Sequence, residues 1–103
     1  MSQKSTLIVF ASPAEGREDE FNDWYDNTHL QEFLALPGVV SGQRFKLSPS
    51  GPKAKQSYAA FYELSVPASD VLKAMDAAIK GGTMRMSSAI DPASVSMSAW
   101  DPI

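Results

Sequence analysis

Two short segments of this chain are apolar on both sides of a β-strand. In residues 6–11 (TLIVFA) apolar side chains point to both faces. The same holds for residues 58–66 (YAAFYELSV), where Tyr58 and Tyr62 share one face and Phe61 lies on the other. Strands of this kind need apolar cover on both faces of their sheet, which restricts the chain to few architectures.

The remaining segments give the order of the elements. Residues 39–47 and 94–100 alternate as two further strands, residues 48–57 (SPSGPKAKQS) form a loop, and residues 67–80 form a helix between Pro67 and Gly81-Gly82. A first helix lies between residue 15 and Pro37-Gly38. The order β-α-β-β-α-β predicts one α+β domain over residues 1–103, a ferredoxin-like fold with a four-stranded antiparallel sheet and both helices on one face.

This arrangement leaves the second face of the sheet uncovered, although its strands are apolar there. The chain has no spare element to cover it. We therefore expect a homodimer packed sheet to sheet, with a monomer that exposes part of an apolar face as the alternative.

Composition excludes several classes of protein. The 103 residues carry a net charge of −3, which has the wrong sign for nucleic-acid binding. Cysteine is absent and His29 is the single histidine, so neither a disulfide nor a metal site is expected. No segment reaches the length of a membrane span, and MSQKST lacks the apolar core of a signal peptide, so we expect a cytoplasmic protein.

The segment 18–38 (EDEFNDWYDNTHLQEFLALPG) contains acidic residues, paired aromatic residues and the single histidine of the chain. Phe21, Trp24 and Tyr25 have helical spacing, and three poor helix formers, residues 26–28, follow them. Thr28 and Gln31 match a capping box. This pattern predicts a helix that kinks or restarts near Thr28, with a continuous helix as the alternative.

The segment 21–45 (FNDWYDNTHLQEFLALPGVVSGQRF) resembles the signature of the dimeric α/β-barrel superfamily, close to its EthD-like branch, and the chain end WDPI resembles the closing strand of that superfamily. The resemblance implies a homodimer whose two sheets close into a barrel, with a small-molecule cleft between sheet and helices. The superfamily includes cyclases, cofactor-free monooxygenases, isomerases, lyases and haem-degrading enzymes. The haem-degrading branch uses an asparagine on the first strand, which TLIVFA lacks.

His29 is the candidate general acid or base, because an unperturbed imidazole titrates near neutrality. The alternative is a structural histidine bonded to a backbone carbonyl. Tyr25, four residues earlier, is the second candidate catalytic residue. The candidate substrate contacts are Trp24, Phe33, Arg44, Tyr58, Tyr62 and Trp100. Tyr58 and Tyr62 face either the cleft or the dimer interface, and Arg44 either pairs with a substrate carboxylate or lies at the sheet edge.

The resulting hypothesis is an enzyme without cofactor that acts on a small apolar carbonyl or aromatic compound. It would be of the isomerase, lyase, cyclase or cofactor-free monooxygenase type, with His29 moving a proton. The alternative is a non-catalytic EthD-like protein that binds a ligand or acts as an accessory protein in a degradation or biosynthetic pathway. A third hypothesis is haem binding with His29 as axial ligand.

Overall fold

The order of helices and strands follows the sequence prediction. The structure, a computed structural model, describes residues 5–103. Its elements are β1 (Ser5–Ala11), α1 (Glu18–Trp24), a π-helical turn (Tyr25–His29), α2 (Leu30–Leu34), β2 (Val39–Lys46), β3 (Tyr58–Leu64), α3 (Ala68–Lys80), a 3-10 turn (Pro92–Ser94) and β4 (Ser96–Trp100). The first four residues, part of the segment on which the expectation of no signal peptide rests, lie outside the described residues.

The four strands form one antiparallel sheet in the order β2-β3-β1-β4. The two central strands are the segments that are apolar on both faces, and Leu7 on β1 lies opposite Tyr62 on β3. This order, with the helices packed on one face, is the ferredoxin-like α+β fold. None of the helices among residues 5–103 is long and apolar enough to cross a membrane.

The core lies between the sheet and the helices. Residues on β1 and β3 alternate between buried and more exposed positions, as the two-residue period of a strand requires. Tyr58 and Tyr62 are on the buried side, so they face the helices and not the open face of the sheet. The largest fully buried side chains are Tyr62, Phe21, Phe33, Leu7, Leu64 and Val71.

The prediction of a capping box at Thr28 is wrong. The backbone stays helical through this region, and no side-chain cap precedes α2. The N–H of Leu30 donates to the carbonyl of Tyr25, five residues earlier, which is the bond of a π-helix. Continuing the helix through this turn keeps the backbone groups bonded, so a restart with a new cap is not required.

The other face of the sheet is open and carries several large apolar side chains. Phe45, Phe61 and Trp100 lie on it, and the rings of Phe45 and Phe61 meet edge to face at 5.1 Å. They line a concavity of about 670 Å³ together with the polar residues Glu63 and Asp101.

Gly38 joins the helical layer to β2 in a conformation that other residues rarely adopt. Its φ is +88°, and its carbonyl accepts a hydrogen bond from the N–H of Ser65. A Cβ at this position would lie 2.2 Å from Cγ2 of Val66. The turn therefore needs glycine for two reasons, backbone conformation and space.

We expect Gly38→Ala to destabilise the protein by about 3 kcal/mol, since it adds a steric clash to a strained φ. Gly16→Ala is the matched control: φ is +75° there, but nothing lies within 4 Å of the added Cβ. It should cost about 1 kcal/mol. Urea unfolding of both variants measures the difference, and equal losses would show that the contact with Val66 is unimportant.

Candidate functional site

The π-helical turn places four aromatic residues in one buried row. They follow one another at four-residue spacing: Phe21, Tyr25, His29 and Phe33. In an α-helix of 3.6 residues per turn, residues four apart rotate by about 40° around the axis at each step. The wider turn between Tyr25 and Leu30 takes up an additional residue and turns the row back toward the sheet. His29 is consequently 7% exposed.

Aromatic rings surround the His29 imidazole. Trp24 stacks on it with ring centres 4.6 Å apart, Tyr25 meets it edge to face at 4.8 Å, and Phe33 lies at 6.1 Å. Its Nδ1 atom is buried and has no hydrogen-bond partner. An unpartnered buried polar atom is uncommon in a folded protein.

Burial lowers the pKa of His29 from 6.5 to about 4. The nearby carboxylate of Glu32 raises this pKa and the guanidinium of Arg44 lowers it, and both effects are smaller than that of burial. The imidazole is therefore neutral at pH 7.

Two tyrosine hydroxyls meet within the same aromatic cluster. The hydroxyls of Tyr25 and Tyr62 lie 3.3 Å apart, and the ring of Tyr62 stacks on Phe33 at 4.0 Å. Burial raises the pKa of both tyrosines. Both hydroxyls therefore stay protonated at neutral pH and act as hydrogen-bond donors.

Arg44 on β2 extends into the layer between sheet and helices, with 12% of its side chain exposed. Its guanidinium carbon lies 4.3 Å from the centre of the Tyr25 ring, and the rings of Tyr58 and Phe21 are at 5.3 and 5.5 Å. Nη1 donates to Asp26 at 2.8 Å and Nη2 donates to Asn22 at 2.9 Å. Although β2 is an edge strand, the side chain is held inside the cluster.

Tyr58 belongs to the polar side of this cluster. It accepts a hydrogen bond from Nδ2 of Asn22 at 3.0 Å and donates to Glu18 at 2.5 Å. Lys46 lies 3.8 Å from the same carboxylate. Asn22 and Glu18 were not among the site residues predicted from the sequence. Their spacing was a usable signal, because Glu18, Asn22 and Asp26 follow one another at four-residue intervals beside the aromatic row.

The segment after α3 holds the outer side of Trp24. The indole Nε1 donates to the carbonyl of Arg85 at 3.1 Å, and the N–H of Arg85 donates to Glu32 at 2.9 Å. Met84, the residue before Arg85 in the chain, is buried. The ring that covers His29 is therefore fixed by main-chain atoms of another element.

Trp100 does not lie with the other predicted contacts. It pairs with Thr6 across β4 and β1, which places its side chain on the open face, 61% exposed. The sheet separates it from His29, so Trp100, selected as a candidate substrate contact, does not join the cluster around the imidazole. The other seven, namely His29, Tyr25, Trp24, Phe33, Arg44, Tyr58 and Tyr62, form one connected cluster. Among residues 5–103, no group of three His, Cys, Asp or Glu side chains is arranged to hold a metal ion.

No protein-family model and no curated protein sequence matches this chain. Solved structures do match it. A putative monooxygenase from Shewanella loihica PV-4 has a TM-score of 0.71 at 16% identity, and the match covers 100% of this chain and 97% of that one. An EthD family protein from Bacillus halodurans C-125 has a TM-score of 0.59 at 14% identity, covering 98% and 99%.

HapK from Hahella chejuensis has a TM-score of 0.64 at 16% identity, and the match covers 96% of this chain and 92% of that one. At these identities the likeness concerns the fold. The resemblance noted in the sequence is confirmed at this level: the chain has the ferredoxin-like α+β fold, which it shares with an EthD family protein.

Proposed function

We propose that this protein is an enzyme without cofactor that acts on a small apolar carbonyl or aromatic compound. The observation that carries the proposal is the neutral His29 imidazole, which is buried among aromatic rings with Nδ1 unpartnered. A neutral imidazole can accept a proton. Burial disfavours the imidazolium, so the anion formed beside it in the same step would have to stabilise that charge, an attraction that apolar surroundings strengthen. The fold also occurs in the protein described as a putative monooxygenase, which supports a small-molecule reaction.

His29 would remove a proton from a carbon next to a carbonyl group or from an aromatic hydroxyl. The product of this step is an enolate or phenolate, which is common to isomerisation, cyclisation and cofactor-free oxygenation. The aromatic rings of Trp24 and Phe33 would contact the apolar part of the substrate. Because His29 is almost completely buried, substrate entry requires a movement of Trp24 or of the segment that holds it.

The three candidate tyrosines differ in the protons that they can offer. The proton of Tyr58 is donated to Glu18. The Tyr25–Tyr62 pair has two hydroxyl protons, of which its mutual hydrogen bond uses one. The second can be donated to the developing oxyanion, so we assign this role to the Tyr25–Tyr62 pair and not to Tyr58.

The second candidate function is ligand binding without turnover. The tight packing of His29 against Trp24 and Tyr25 favours it, since a structural histidine would show the same contacts. In this case a ligand would raise the melting temperature equally in the wild type and in a His29→Ala variant, and would be recovered unchanged.

We also propose that the protein is a homodimer joined through the open face of the sheet. Phe45, Phe61 and Trp100 are exposed there and line one concavity, and exposed groups of large apolar side chains commonly mark interfaces. A symmetric pair would cover the same surface on both subunits.

The catalytic role of His29 can be tested without knowing the substrate. In D2O the wild type should accelerate deuterium exchange at the acidic C–H of 2-tetralone, an apolar aromatic ketone. His29→Gln should reduce this exchange by about 100-fold or more, the usual contribution of a general base. Mass spectrometry of the recovered ketone measures the exchange.

Asn27→Ala is the matched control, because Asn27 is in the same π-helical turn but is exposed and bonds to Asp23. It should exchange at the wild-type rate. Exchange by His29→Gln equal to the wild type, with both proteins folded by circular dichroism, would disprove the catalytic role.

The homodimer is tested by sedimentation at micromolar concentration. The wild type should sediment as a dimer, and Phe61→Lys should sediment as a monomer, because a charge at this position cannot be buried in a sheet-to-sheet interface. Ile79→Lys provides the control: Ile79 on α3 is 39% exposed against 38% for Phe61, but it lies in the helical layer. A monomeric wild type would refute the proposed interface.

The lowered pKa of His29 predicts how stability depends on pH. The His29 imidazole has its ordinary pKa of 6.5 in the unfolded chain and a pKa of about 4 in the folded protein. The stabilisation is thus complete above pH 6.5 and decreases as the pH falls toward 4, by about 3 kcal/mol in total. Urea unfolding between pH 7 and 4 should show a smaller loss in His29→Gln than in Asn27→Ala, whereas parallel curves would mean that His29 titrates normally.

A further inference from the structure

The ion pair of Arg44 and Asp26 joins a buried cation to an exposed anion. The Arg44 side chain is 12% exposed and the Asp26 side chain is 59% exposed. Arg44 lies among the rings of Tyr25, Tyr58 and Phe21 and also bonds to Asn22, so its position is fixed by the fold. Asp26 reaches it from the surface through Oδ1.

We propose that Arg44 is the anion-binding residue of the site around His29. It would take a carboxylate on an otherwise apolar aromatic ligand, and Asp26 would be the internal counter-ion that this carboxylate replaces. The inference rests on the proposed function, because it specifies the substrate class of the same site.

A guanidinium among aromatic rings has lost much of its hydration and therefore needs a negative partner. Glu18 cannot serve, since it accepts from Tyr58 and lies beside Lys46. Asp26 satisfies the guanidinium in the free protein. A planar carboxylate can do the same with two parallel hydrogen bonds, the arrangement that arginine prefers.

Asp26 is also placed where it can leave. It belongs to the π-helical turn, and most of its side chain is in contact with solvent, so rotating it outward exposes no new charge to an apolar environment. Rotating Arg44 away would require breaking its contacts with three rings. When an anion enters, the carboxylate of Asp26 is therefore the group that moves.

The position of Arg44 relates the anion to the proposed base. Arg44 lies over the ring of Tyr25, and the His29 imidazole contacts the same ring edge to face. A ligand whose carboxylate is held by Arg44 would thus have its reacting carbon about one aromatic ring away. This geometry selects aromatic acids over neutral aromatic compounds of the same size.

The test compares two probes of equal shape, 2-naphthoate and 2-naphthamide, by titration calorimetry with the full chain. The wild type should bind the naphthoate about tenfold more tightly, as expected for hydrogen bonds to a charged group. Asp26→Asn should tighten naphthoate binding several-fold further, because the competing anion is gone, and should leave naphthamide binding unchanged.

Asp23→Asn is the matched control. It removes the same charge from the neighbouring turn, where Asp23 is exposed and bonds to Asn27. If only the overall charge mattered, both variants would tighten naphthoate binding equally, and this result would overturn the proposal.

Arg44→Gln should abolish the preference for naphthoate, with folding checked by circular dichroism. Should this variant not fold, Asp26→Asn decides alone, since it alters an exposed side chain. Equal affinity of the wild type for both probes, or binding of the naphthamide alone, would overturn the proposal for Arg44. Neither result would affect the proposed role of His29, which the deuterium exchange of the neutral 2-tetralone tests separately.

Discussion

The hydrogen bond from the N–H of Leu30 to the carbonyl of Tyr25 determines the arrangement of the site. By widening one helical turn it keeps Phe21, Tyr25, His29 and Phe33 on the side that faces the sheet. On a regular α-helix the row would rotate by about 40° at each step and His29 would move toward solvent. π-helical turns in α-helices frequently occur at functional sites, and here the turn supplies both the buried imidazole and the exposed Asp26.

The fold could be predicted from sequence because its signals are local. The apolar runs at residues 6–11 and 58–66 identified two of the strands, and Pro37-Gly38 marked the end of the first helical region. The strand ends were predicted less accurately: the strand predicted at 58–66 ends at Leu64, and the strand predicted at 94–100 begins at Ser96. The last strand was expected to begin at Ser94, but this residue belongs to the 3-10 turn Pro92–Ser94.

The site could be predicted only in part. Six of the residues selected with His29 adjoin it or its neighbours, since aromatic residues on a helix and on the facing strand meet in one layer. Trp100 lies outside the cluster because its side of β4, opposite Thr6, is the open face, and the sequence did not show which side of this strand meets the helices. Asn22 and Glu18 were missed because their roles depend on Arg44 and Tyr58, which are distant along the chain. The four-residue spacing of the aromatic row is visible in the sequence. On a regular α-helix of 3.6 residues per turn, however, this spacing does not keep all four rings on one face.

The two hydrogen bonds of Arg85 have a consequence for kinetics. They attach the segment after α3 to Trp24 and Glu32, on either side of His29 along the chain. A molecule that approaches the imidazole past Trp24 can do so only while these bonds are broken. Its association rate then equals the diffusional encounter rate multiplied by the fraction of time that the segment is open. Residence time would be long for the same reason, and both rates would change together if this segment were altered, while the equilibrium affinity of the cluster stayed constant.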